Sequence, residues 1–166
     1  GASPGTTASS SPGVSASASP SESASSAHTE PAPPLSQDEA AATTRDALTR
    51  TAAALSDPGN PADLSGVLTD GELDSYEAQA DEFASTGVHQ NGAPTIENPG
   101  IIGVSDDGAT VSVQACVDSS SVHVLDDQGT DLHASQPKRS LTIFMLTNSN
   151  GSWKISGESF PDDPTC

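Results

Sequence analysis

The chain has 166 residues, 23 of them acidic and five basic, for a formal net charge of −18. A field of that sign repels phosphate backbones and anionic lipid headgroups, which argues against nucleic acid and against docking of the folded part on a membrane surface. No apolar run approaches the roughly 20 residues of a bilayer-spanning helix.

From Gly1 to Pro34 only Val14, Glu22, His28 and Glu30 depart from Ser, Ala, Pro, Gly and Thr. Such a segment cannot bury enough apolar surface to offset its ordering entropy, so residues 1–34 are expected to form a disordered tether. Residues 35–166 have a length suited to one domain with a single core. They hold every basic residue and all the acids except Glu22 and Glu30.

Ser36 followed by Glu39 is a capping box, and it opens a helix whose apolar stripe runs through Ala40, Ala41, Ala47, Leu48, Ala52, Ala54 and Leu55. The run Asp57-Pro-Gly-Asn-Pro61 ends it, and residues 63–68 read as a loop or a short turn. Thr69 or Asp70 caps a second helix, with Leu73, Tyr76, Ala80 and Phe83 on one face and Gly87 as its stop. Asp70, Glu72 and Asp74 suit the positive end of the helix dipole.

From Pro94 the period becomes strand-like. Residues 95–104, 109–117, 122–125, 140–147 and 152–160 are predicted strands, joined by turns at 106–108, 126–129 and 148–151. Val111, Val113, Ala115 and Val117 share one face of the second. The strand through Ile143, Phe144, Met145 and Leu146 is apolar on both faces, which predicts a central position. Helices first and then an antiparallel meander make an α+β fold, with the helices packed on the sheet.

Cys116 lies in a predicted strand and Cys166 ends the chain. An even count on a tethered chain predicts an oxidising compartment and a Cys116–Cys166 disulfide; two unlinked thiols are the alternative reading.

The run Ala109-Thr-Val-Ser-Val-Gln-Ala-Cys-Val-Asp118 precedes Val122-His-Val-Leu-Asp-Asp-Gln-Gly129. Arg139, the strand 141–146 and Asn150-Gly-Ser-Trp-Lys-Ile155 then follow. This pattern resembles the NTF2-like, or cystatin-like, cone domains of actinobacterial and actinophage secreted lipoproteins. The resemblance implies a curved antiparallel sheet wrapped around the N-terminal helices, with Trp153 packed against the sheet edge. It implies a lipid-anchored or secreted, extracytoplasmic domain, attached to the membrane only through an N-terminal anchor not contained in the sequence. Tyr76, Phe83, Phe144, Trp153 and Phe160 are the only aromatic residues, which argues against a roomy hydrophobic pocket.

Relatives of that fold include isomerases and cyclases, which need acid/base groups inside the cone. The residues considered for a pocket are Tyr76, Asp118, His123 and Arg139. Tyr76 reads as a core tyrosine whose hydroxyl needs a partner, Asp118 and Arg139 as a structural ion pair across neighbouring strands, and His123 as a lone strand histidine. No cofactor and no metal is expected: His89, His123 and His133 are dispersed, and the aspartates of 126–131 suit a turn better than a calcium loop. Gly103-Val-Ser-Asp-Asp107 lacks the final glycine of a nucleophile elbow, which excludes a serine hydrolase of that kind. The leading expectation is a non-catalytic binding or scaffold domain at a bacterial envelope. Its partner would be another envelope protein or a small apolar ligand, with homodimerisation through the open sheet face as a further expectation. An isomerase or cyclase, and a spacer without ligand, are the alternatives.

Overall fold

The computed structural model describes residues 34–166; all of the expected tether except Pro34 lies outside them. Among the described residues there are two helices, α1 (Gln37–Ser56) and α2 (Asp70–Thr86), and six strands. The strands are β1 (His89–Asn91), β2 (Thr95–Val104), β3 (Thr110–Asp118), β4 (His123–Leu125), β5 (Arg139–Ser149) and β6 (Ser152–Ser159). The fold is α+β, with both helices packed on antiparallel sheet.

Helix α1 begins where the capping box requires. Ser36 Oγ accepts from the Glu39 N–H at 3.1 Å, and the Glu39 carboxylate accepts from the Ser36 N–H at 3.0 Å. Its buried positions are Ala40, Ala41, Ala47, Leu48, Ala52, Ala54 and Leu55, together with Thr44 and Thr51. Those two threonines reach the core because their hydroxyls donate back to the Ala40 and Leu48 carbonyls. Thr69 occupies the N-cap position of α2, but its side chain makes no capping bond. Gly87 ends that helix in the left-handed region, at φ +73°.

The main sheet has the order β2-β3-β5-β6, and β1 pairs with β4 as a separate ribbon. Strand β1 was not anticipated: three residues are too short to show a period, and its pairing with β4 is non-local. The ribbon turns tightly at Gly92, where φ is +84° and a Cβ would sit 1.9 Å from the Ser121 carbonyl oxygen. Only glycine fits there.

Cross-strand register assigns the two faces of the main sheet. Val111 opposes Leu146 and Val113 opposes Phe144, and all four are buried against the helices together with Ile155. Met145 and Ile143 point the other way, opposite Ser112 and Gln114, and Met145 is exposed. Strand β5 is central, as its composition predicts, yet its second apolar face carries no covering layer among the described residues. Strand β2 is an edge, interrupted by irregularities between Glu97 and Gly100 and between Ile101 and Gly103. Pro99 lies in the first of these, a position where its missing N–H costs no ladder bond. The Gln37 side chain covers that edge, donating to the Pro99 carbonyl at 2.8 Å and accepting from the Ile101 N–H at 3.1 Å. Trp153 is half-buried and packs against the core, near the β5–β6 turn.

Cys116 and Cys166 are bonded, with Cα atoms 6.0 Å apart and a sequence separation of 50. The C-terminal tail runs beside β5, where the Leu141 N–H donates to the Pro164 carbonyl at 2.7 Å. It then crosses to the outer face of β3. Closing a loop of that length contributes roughly 4 kcal/mol by restricting the unfolded chain. Reduction, or Cys166→Ser, is expected to lower the unfolding free energy by about 3–5 kcal/mol in denaturant titrations. An unchanged midpoint would contradict this role.

Candidate functional site

Two helices with short side chains do not cover the whole inner face of the sheet. Where cover ends, a cleft of about 390 Å³ opens. It is lined by Leu48 of α1 and Tyr76 of α2, by Val117, Ser140, Thr142 and Phe144 of the sheet, and by Glu158 and Phe160 at the end of β6. Pro94, Ser119, Gln136 and Pro137 complete the wall. That volume lies within the range of small-molecule sites. Three of the five aromatic side chains converge on it, so the low aromatic content does not preclude an apolar cleft. Phe160 is 62% exposed at the rim.

Glu158 reaches this wall through a bulge. Strand β6 shifts register between the partners of Met145 and Leu146, so that Ile155 opposes Leu146 and Glu158 opposes Phe144. Both therefore face the helices although they are three residues apart. The Ser156 hydroxyl holds the irregularity, bonding to the Met145 carbonyl at 3.2 Å and to the Thr147 hydroxyl at 2.8 Å. Gly157 occupies the bulge, where a Cβ would come within 3.2 Å of the Met145 side chain. Simple alternation puts Glu158 on the outer face; the Ser-Gly pair inside a strand is the signal that it lies on the inner face, where it lines the cleft while staying exposed.

Glu72 meets Glu158 from the other side. It lies one turn before Tyr76 on the buried face of α2 and is only 8% exposed. Burial, then a hydrogen bond to Glu158 and the charge of that neighbour, push its carboxyl up to about 9 from the ordinary 4.5. Burial, followed by the Glu158 and Glu72 charges, likewise keeps Tyr76 protonated above its ordinary range. Thr51 is the uncharged polar group beside the Tyr76 hydroxyl. Glu72 shares the Tyr76–Ala80–Phe83 face by helical spacing.

Of the four residues considered for a pocket, only Tyr76 lines the cleft. Asp118 and Arg139 oppose each other on the outer face, with Nη1 and Oδ2 3.2 Å apart, and Glu97 forms a second ion pair with the same guanidinium. The Ser120 hydroxyl and N–H hold the Asp118 carboxyl below its usual range, with a further contribution from Arg139. His123 stands on the β1–β4 ribbon and has a partner that sequence alone does not identify, Asp131 at 2.9 Å. Asp126 accepts from the Gln128 and Thr130 N–H groups, both at 2.9 Å, which is turn chemistry. Among the described residues no three His, Cys, Asp or Glu side chains gather as a metal site would need. None of the described helices is long and apolar enough to cross a membrane.

No family model matches the sequence, and no curated protein matches it. Among solved structures, the intermembrane-space region of the chloroplast protein ARC6 is similar, with a TM-score of 0.52 and 17% identity over 76% of this chain and 97% of that one. At that identity the likeness concerns the fold alone.

The carboxyl pair has a stability signature. A folded-state value raised above the unfolded one contributes stability that is complete below pH 4.5 and lost as the pH rises through about 9. Carboxylates held low, such as Glu97, Asp118 and Asp131, act in the opposite sense and only as the pH falls below their ordinary range. Melting temperatures are thus expected to fall from pH 5 to about pH 9 in the parent chain, and Glu72→Gln is expected to flatten that limb. Parallel profiles for the two proteins would show that Glu72 titrates normally.

Proposed function

We propose that this chain is a non-catalytic binding domain of the bacterial cell envelope. It works outside the cytoplasm, tethered to a membrane through a lipid anchor ahead of residue 1, and takes a small, largely apolar ligand in the helix–sheet cleft. The observation that carries this reading is the cleft itself: Leu48, Tyr76, Val117 and Phe144 form its apolar wall, and Phe160 stands exposed at its mouth. An exposed phenylalanine at the rim of a concave apolar surface is where a ligand gains contact area at little ordering cost.

The disulfide supports the location, because such bonds persist in oxidising compartments. The bacterial-envelope part of the proposal rests on the sequence resemblance to NTF2-like domains of actinobacterial secreted lipoproteins, with which the α+β class agrees. A turnover reading would need at least two of Tyr76, Asp118 and His123 in the cleft. Of those three only Tyr76 lines the cleft, and we read the cleft, with Glu158 on its wall, as a binding site.

The test uses N-phenyl-1-naphthylamine, a neutral probe whose fluorescence rises in apolar surroundings. One probe is expected to bind per chain, and Phe160→Ala is expected to weaken it about tenfold, the equivalent of losing part of a phenylalanine's buried area. Met145→Ala, on the opposite face of the sheet, should leave binding unchanged. Equal binding by all three proteins, or loss with Met145→Ala alone, would overturn the assignment of the cleft.

A further inference from the structure

Resting on the cleft as a binding site, we infer that its ligand is a small organic cation, an ammonium group on an apolar body, with the charge seated against Glu158. Among the described residues lining the cleft, Glu158 is the only charged one, with no lysine or arginine to neutralise it. Behind it, outside the cleft wall, lies Glu72, more than nine-tenths buried and hydrogen-bonded to the Glu158 carboxyl.

The cleft has complementary walls for such a molecule. Tyr76, Phe144 and Phe160 offer aromatic surface to a cation as well as to hydrocarbon, through the negative faces of their rings. The titratable groups acting on Glu72 are Glu158 from β6 and Tyr76 from α2 itself, while α1 contributes only the uncharged Thr51 beside Tyr76. Burial, then the hydrogen bond to Glu158 and its charge, hold the proton on the Glu72 carboxyl. An ammonium ion entering the cleft takes over that neutralising role, and the proton leaves to solvent. No covalent bond changes. Binding should therefore tighten as the pH rises, until the ligand's own ammonium deprotonates. A chain of net charge −18 also draws cations towards its surface from solution.

Titration calorimetry with 2-phenylethylammonium and its neutral analogue 2-phenylethanol separates the outcomes. At pH 8 the cation is expected to bind at least about tenfold more tightly than the alcohol, to release a proton, and to bind more weakly at pH 6. Glu158→Gln should bring the two ligands to within about twofold. Glu72→Gln provides a second variant expected to lose the same preference should the first fail to fold. If the alcohol binds as well as the cation, or both variants keep the preference, the inference fails while the cleft stands as an apolar site. If neither ligand binds the parent chain, the cleft reading fails with it.

Discussion

Among the described residues the helices cover one face of the main sheet, and most of the molecule follows from how that cover is made. Val111, Val113, Phe144, Leu146 and Ile155 need an apolar layer, and the described chain supplies it with two helices whose buried positions are largely alanine. Alanine lets α1 lie close to the sheet, where Ala40 and Ala47 pack in the same cluster as Ile96 and Val113. Short side chains also reach only a short way. The layer runs out beside Phe144 and Thr142, and the space that remains is the cleft. Core packing and binding surface are thus parts of one constraint: the same Phe144 is 1% exposed and lines the cavity wall.

The acidic composition divides into three physical situations. Many carboxylates serve turns and caps, where backbone N–H groups and hydroxyls hold Glu39, Asp107 and Asp163 below their ordinary range. Others gather round the few cations, as Glu97 and Asp118 do at Arg139. Glu72 belongs to neither group, being buried against a second carboxyl. The overall charge is therefore a poor guide to the site, and the placement of one acid is a better one.

Where local pattern and global packing agree, the residues announced their structure. The capping box at Ser36 and Glu39, the left-handed stop at Gly87 and the alternation of Val111, Val113 and Ala115 were all legible, because each is decided within a few residues. The ribbon strand His89–Asn91 was not, since its existence depends on a partner more than 30 positions away. The site divides in the same manner. Tyr76 was legible on its helical stripe, and Glu72 shares that stripe but is also what a helix dipole favours in a first turn, so its burial had no separate sign. Glu158 was hidden by the bulge, which reverses its face. Asp118 and His123 drew attention as polar residues in strands, yet alternation could not say that Asp118's face is the solvated one or that Asp131 waits beside His123.

An amide chemical-shift map measured while a neutral apolar probe is titrated in tests the central claim most directly. Binding in the cleft predicts shifts centred on Leu48, Tyr76, Thr142, Phe144 and Phe160, with the outer-face residues Ile143, Met145 and Arg139 little moved. Shifts centred on that outer face instead, with the cleft residues silent, would contradict the account.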